Sequence, residues 1–340
     1  MLHSFAESHI GQRKVNEDSF LIDDDLGLYI VADGVGGMSK GEVASHLVCE
    51  STAQCIKSGK GLKEAVKIAH QKIVDQINAD SEKQGMASTI VAVLFKQNTY
   101  EIAWVGDSRV YVWDGELKLI TRDDSYVEIL YENGHIGVED LETHPDRNVI
   151  SQAMGIVRKD IKINYNTGTL ENNQVLLLCT DGLYSIADEK YIIGCLKSGQ
   201  NIEQMTQYLV KKAVEKEGKD NITLLLVTSN HSSNSANEEI KPEVYREFDE
   251  NTGKPISYDQ QKAEESKAQD VITYMDPELV DQTKLEDISP EDKGRLETAA
   301  HQFASQTEAI NKSKNKVIPV VLVSILGLIG VLLVFYKING

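Results

Sequence analysis

LYIVADGVGG, residues 28–37, sets the pattern for the chain: a short apolar run, then an aspartate, then a glycine-rich turn. The β-rich composition and turn-like borders of 28–32 predict a strand. The same features recur at 89–95 (TIVAVLF), 101–105 (EIAWV), 110–113, 175–179 (VLLLC) and 222–227 (ITLLLV). Besides Asp114, four aspartates border these runs. Asp33 follows the first, and Asp107 follows EIAWVG and precedes Ser108-Arg109. Asp181 follows VLLLCT and adjoins Gly182, while Asp220-Asn221 precedes ITLLLV. Side chains at strand ends can converge on one rim of a sheet, and glycine lets backbone carbonyls approach the same point.

Between the strands lie helical patterns. Leu62, Ala65, Val66, Ala69, Ile73 and Ile77 fall on one face over 62–77, and Ile202, Met205, Leu209 and Ala213 repeat that spacing. A helix-length run occupies 42–57. Strands come in groups separated by pairs of helices, which is an α+β order rather than a βαβ series. Residues 125–155 read as a loop-rich excursion with one short helix near 126–133, and Asp114-Gly115 as a plain turn.

The hydrophobic fraction of 41% over 340 residues supports a sizeable core. A net charge of -18 argues against nucleic acid, which needs clustered Lys and Arg. Cys49, Cys55, Cys179 and Cys195 lack CxxC spacing and read as buried thiols. The N-terminus has no apolar h-region, so no secretory signal is expected.

From 230 to 316 the texture turns polar and charged, and the expectation is an acidic, mostly flexible linker. Ser289-Pro290-Glu291-Asp292 announces a helix over 290–312. Apolar clusters at 245–248 and 271–275 read as scattered linker residues, with docking motifs as the alternative. Residues 317–336, VIPVVLVSILGLIGVLLVFY, carry no charge and suffice for one transmembrane helix. Lys312, Lys314 and Lys316 before it, against Lys337 after it, place the N-terminal bulk in the cytoplasm. The expectation is a tail-anchored, single-pass chain with a domain over 1–229.

A pocket of several carboxylates stays ionised only if cations neutralise it. Oxygen ligands without nearby His or Cys favour Mg²⁺ or Mn²⁺. Two such ions polarise a phosphoryl group and lower the pKa of a bound water. A turn remains the better reading for any one Asp-Gly; recurrence after buried strands is what favours a shared site. Calcium storage would call for a DxDxDG-type loop, which is not found.

GQRKVNEDSF (11–20), VADGVGGMSKGEVAS (31–45), ASTIVAVLF (87–95), VGDSRVYV (105–112), LLLCTDGL (176–183) and DNITLLLV (220–227) stand in the order and spacing of a known family. With NVISQAMG (148–155), they make residues 4–229 resemble the metal-dependent protein phosphatases of type 2C, in their bacterial branch. The resemblance implies a four-layer α-β-β-α sandwich of two antiparallel sheets flanked by helices. It implies two metals bridged by Asp33, with the Gly34 carbonyl, Asp181 and Asp220 completing the site. Asp107 resembles a ligand of a weaker third metal, and Glu17 and Asp18 match acids that bind metal-coordinated waters. Arg13 matches an arginine that grips the substrate phosphate; its other reading is a structural salt bridge.

The implied activity is hydrolysis of phosphoserine and phosphothreonine in proteins by a water held between the metals, opposing a Ser/Thr kinase at the membrane. The chain departs from the pattern at Val35, where many members carry histidine, at Ser185, where many carry a third-metal acid, and at Asp124. A catalytically weak, phosphoprotein-binding adaptor and a small-molecule metal phosphohydrolase are the alternatives. Residues 125–155 correspond to the variable flap, so substrate choice does not carry over.

Overall fold

The structure is a computed structural model that describes residues 2–36, 40–156, 161–186, 189–229 and 240–256. In chain order its elements begin with β1 (Leu2–His9), β2 (Asp18–Asp23), β3 (Leu28–Val35), α1 (Lys40–Lys57) and α2 (Leu62–Ala79). There follow β4 (Ala87–Ser88), β5 (Ile90–Lys96), β6 (Thr99–Val105), β7 (Arg109–Trp113), β8 (Leu117–Leu119) and α3 (Tyr126–Glu132). Then come β9 (Asn164–Thr169), β10 (Val175–Cys179), α4 (Asp181–Tyr184), α5 (Glu189–Leu196) and α6 (Ile202–Lys216). The last are β11 (Ile222–Ser229), β12 (Arg246–Phe248) and β13 (Pro255–Ile256).

The strands form two sheets with antiparallel pairing, in the orders β1-β11-β10-β7-β8-β12-β13 and β2-β3-β5-β6-β9, with β4 beside β3. The continuous apolar runs have a physical cause: each central strand is covered on both faces. Tyr29 and Val31 of β3 meet Val91 and Val93 of β5, Leu176 and Leu178 of β10, and Leu225 and Val227 of β11 between the sheets. The alternate residues point outward. Leu28, Ile30 and Ala32 pack with Val48, Ala65, Ala69 and Ile73 of α1 and α2. Leu177, Leu224 and Leu226 pack with Ile193 of α5 and Met205, Leu209 and Ala213 of α6. The expected α+β sandwich of antiparallel sheets flanked by helices is what forms. All four cysteines are free and buried, and Asp114-Gly115 turns between β7 and β8, with Gly115 at φ +110°.

Strands β1, β2 and β9 have no counterpart in the sequence reading. They are edge or near-edge strands rich in polar residues (LHSFAESH, DSFLID, NYNTGT), and their pairing supplies what their composition does not.

The boundary at 229 needs correction. Residues 240–256, read as the start of a flexible linker, belong to the body. Arg246 and Glu247 of β12 pair with Leu119 and Lys118 of β8, and Phe248 is buried, its ring 6.0 Å from that of Tyr111. The cluster at 245–248 is therefore neither scattered residues nor a free motif. Its partners lie more than a hundred residues upstream, where no local pattern in the sequence points. The cluster at 271–275, the helix over 290–312 and the apolar segment 317–336 lie outside the described residues. Among the described residues no helix is long and apolar enough to cross a membrane.

If 240–256 are integral, Phe248→Ala in the full chain should lower the unfolding free energy by about 3 kcal/mol, the scale for emptying a buried aromatic site. Urea denaturation checks this; an unchanged midpoint would return the segment to linker status.

Candidate metal centre

Antiparallel register carries the aspartates to one rim. Asp18 opens β2 directly opposite Asp33 near the end of β3. In the other sheet Cys179, ending β10, sits opposite both Arg109 and Leu224, so Asp107, Asp181 and Asp220 leave their strands at the same end. Asp181 is the first residue of the short helix α4 rather than a strand residue.

The carboxylates feel one another. Burial pushes the Asp33 carboxyl well above the usual carboxylate range, reinforced by the charges of Asp18, Asp181, Asp107 and Asp220. Burial, then Asp181, does the same to Asp107. Asp181 is pushed up to about 6 by burial and Asp220. Asp18 rises to about 7, chiefly by burial, although the hydroxyls of Thr180 and Thr223 donate to its Oδ2 at 2.9 and 2.7 Å. Asp18 Oδ1 and Asp181 Oδ1 are buried without a hydrogen-bond partner.

The loops around these acids are held by backbone. The Asp33 amide donates to Thr89 Oγ1 (2.9 Å), and its carbonyl accepts from the Thr89 amide (2.7 Å) and the Ser88 hydroxyl (3.0 Å). The Gly34 amide donates to the Glu17 carbonyl (3.1 Å), and the Gly41 amide to Glu17 Oε1 (3.2 Å). A Cβ on Gly34 would stand 2.0 Å from the Gly41 carbonyl oxygen, and one on Gly182 1.8 Å from that of Asn221. Both glycines are thus fixed by close approach. Asn221 binds three backbone groups: its Oδ1 accepts from the Glu17 amide (2.7 Å), and its Nδ2 donates to the Ile10 and Val15 carbonyls (2.9 and 3.1 Å). One side chain thereby places the Arg13–Asp18 segment against the start of β11.

Arg13 is half-exposed, with Nη2 2.7 Å from Asp220 Oδ2. It forms a salt bridge, yet that bridge sits on a candidate ligand.

The sequence reading brought Arg13, Glu17, Asp18, Asp33, Gly34, Asp107, Asp181 and Asp220 forward, and all lie at or beside this rim. It missed the supports: Ser88, Thr89, Thr180, Thr223 and Asn221. The signal available was a hydroxyl bordering or interrupting an apolar run, as in LLLCT and ITLLLV. It also missed Arg109, which is buried, binds Asp123 through Nε and Nη2 (2.7 Å for the latter), and lies 3.6 Å from the centre of the Tyr184 ring. Tyr184 donates to the Asp107 carbonyl at 3.1 Å. Asp124, where the family motif has histidine, accepts from the Gly106 amide, Gln152 and Asn164, which makes it a loop anchor.

The donor set fits a hard divalent cation: oxygen ligands only, carboxyls pushed up by burial and by one another, and buried oxygens without partners. No three acids among the described residues stand within direct-ligand reach of one point, so an ion held here would draw on backbone oxygen and water as well, as Mg²⁺ commonly does.

The fold and rim define a class of protein: a two-sheet sandwich that collects carboxylates at one end for a hard-cation centre. The chain belongs to the protein phosphatase 2C family, whose model matches residues 6–224. The serine/threonine phosphatase Stp of Listeria innocua is 34% identical over 232 residues, 64% of this chain and 92% of that one. The crystal structure of the Mycobacterium tuberculosis serine/threonine phosphatase PstP is similar with a TM-score of 0.63 and 31% identity, covering 68% of this chain and 99% of that one. A PstP catalytic domain in complex with two manganese ions matches at 30% identity and a TM-score of 0.60, over 67% of this chain and 97% of that one.

The raised carboxyls carry a sign. The folded chain keeps protons on Asp181 and Asp18 that the unfolded chain releases near pH 4. Their contribution to stability is therefore full below about pH 4 and is lost as pH rises through about 6 and about 7. In the presence of a chelator the melting temperature should fall between pH 4 and 7. Asp18→Asn should flatten that descent, and added Mg²⁺ should reverse it at pH 7. A flat profile in the unsubstituted, chelated protein would refute the buried-acid account.

Proposed function

We propose that this chain is a metal-dependent protein serine/threonine phosphatase that hydrolyses phosphoserine and phosphothreonine at the aspartate rim. The observation that carries the reading is the meeting of Asp18, Asp33, Asp107, Asp181 and Asp220 at one end of the sandwich, with Arg13 beside them. The family match and its serine/threonine phosphatase relatives support it. Asp33, Asp181, Asp220 and the Gly34 carbonyl would hold two Mg²⁺ or Mn²⁺ ions, with Asp107 toward a weaker third. Bound there, the ions supply charge neutralisation of the phosphoryl group and a water of lowered pKa.

The residues of the chain do the rest. Arg13 offers a planar fork to the phosphate oxygens from a half-exposed position. Glu17 and Asp18 hold and orient water beside the site. Ser185 presents a hydroxyl where a third-metal acid is common, so Asp107 would bind that ion with less help. A cysteine nucleophile does not fit. Cys179, nearest the rim in sequence, is buried with its thiol pushed far above the usual range by burial, and Cys49 is pushed up to about 12. Nucleophilic cysteines need the opposite shift.

The place of action comes from residues 317–336, read as one transmembrane helix with the phosphatase body on the cytoplasmic side. Its substrates would be proteins phosphorylated by a Ser/Thr kinase at that membrane.

The full chain in detergent should release phosphate from a phosphothreonine peptide with Mn²⁺ and cease with chelator. Asp33→Asn should lower kcat by about a hundredfold or more, the scale of losing one charge-stabilising group. Arg13→Ala should chiefly raise KM, by roughly tenfold for one lost charge-assisted hydrogen bond. Turnover indifferent to Asp33 would sink the assignment, and peptide binding without turnover would favour an adaptor. In cells the chain should stay with membranes through a high-salt wash; recovery in the soluble fraction without detergent would refute the anchor.

A further inference from the structure

Residues 240–256 lie beyond the segment matched by the family model, which ends at 224. They form a strap across the open side of the sandwich. The strap touches the six-stranded sheet first: the Ile240 amide donates to Thr169 Oγ1 (2.9 Å), and the Glu243 amide to Asn166 Oδ1 (3.0 Å). Asn166 returns a bond from Nδ2 to the Glu243 carbonyl (2.8 Å). It then crosses to the other sheet. Tyr245 packs edge-on against Trp104, its amide donates to the Leu119 carbonyl (2.8 Å), and β12 adds to β8.

Where it crosses, Arg246 is 4% exposed and makes an ion pair with Glu128, which is 6% exposed. Glu128 belongs to α3, the helix of the flap. A second buried arginine meets the same excursion: Arg109 Nη2 lies 3.2 Å from Glu142 Oε1. Arg109, Arg246, Asp123, Glu128 and Glu142 line one small cavity with Tyr184 and Ser185. The flap is thus held from below by two arginines. One comes from the body, two residues from Asp107, and the other from the strap. A buried charge is held firmly only while its partner is present, because the unpaired partner must find water.

We propose that the strap is a clamp on the flap, and that Arg246 is a positioning residue through which it sets the flap for phosphoprotein substrates. The substrate half of this proposal rests on the phosphatase reading above; the clamp itself does not. A small aryl phosphate needs only the rim, whereas a phosphopeptide also needs the surface beside it. Loss of the clamp therefore separates the two substrates.

The test uses the full chain in detergent, unsubstituted and as Arg246→Met, Arg246→Lys and the apolar pair Arg246→Met with Glu128→Met. Amide hydrogen exchange is followed across α3 and, as reference, across β5 and β11. Turnover is followed on p-nitrophenyl phosphate and on a phosphothreonine peptide. Arg246→Met should speed exchange in α3 by tenfold or more while β5 and β11 keep their protection. It should raise the peptide KM at least fivefold and leave p-nitrophenyl phosphate turnover within twofold. Arg246→Lys should recover part of the α3 protection, and the apolar pair should recover most of it by packing. Unchanged exchange in α3 would overturn the clamp, and so would equal loss of protection in β5 and β11, which marks a general stabilising contact. Equal changes on both substrates would overturn the positioning role. If the unsubstituted chain hydrolyses neither substrate, the phosphatase reading and the substrate half fall together, and exchange in α3 still decides the clamp.

Discussion

Burial strips the carboxylates of one rim of their water, and their mutual repulsion adds to that cost. Asp33 opposes Asp18 across the β2–β3 pair while feeling Asp181, Asp107 and Asp220 from the other sheet. Such a cluster persists only where the backbone is fixed well enough to oppose the repulsion and where hydroxyls or cations compensate it. Much of the molecule is arranged to that end. Helices cover the outer faces of both sheets, the central strands are buried on both sides, and Thr180 and Thr223 both donate to Asp18. The same concentration of buried oxygen and negative charge suits the rim to a hard divalent cation.

The glycines have a matching logic. Gly34 and Gly182 each follow a rim aspartate, and in both cases a carbonyl from another segment occupies the space a side chain would take. Close approach lets segments distant in sequence share one edge, so the acids at their ends share one rim. The four cysteines are all free and buried, away from any role that needs an exposed thiolate.

A second charged cluster lies behind the first. Arg109 is two residues from Asp107 and bonds Asp123, Glu142 and the Tyr111 hydroxyl while facing the Tyr184 ring. Tyr184 in turn reaches the Asp107 carbonyl. This links the rim to the flap through hydrogen bonds and a stacked ring, and Arg246 joins it from the strap. The aspartate rim and the flap are therefore mechanically adjacent in this chain.

Strands β3, β6, β7, β10 and β11 were legible because their burial on both faces leaves continuous apolar runs, and Asp33, Asp107, Asp181 and Asp220 were legible because they stand at the borders of those runs; β2, which carries Asp18, was not. The helices α2 and α6 were legible by their period, and α1 by the length of its run. Both signals are local: a few residues of composition or spacing suffice. Edge strands such as β1 and β9 were not legible, because they take their shape from a neighbour. Nor were the partners of the charges. Asp18 meets Thr180 and Thr223 across 162 and 205 positions, and Arg246 meets Glu128 across 118. The sequence by itself determined which residues are acids, which runs are strands and where the chain turns. Only the tertiary structure decided which acids face one another, what compensates them, and that residues 240–256 belong to the body, because those facts depend on contacts that no local window of sequence contains.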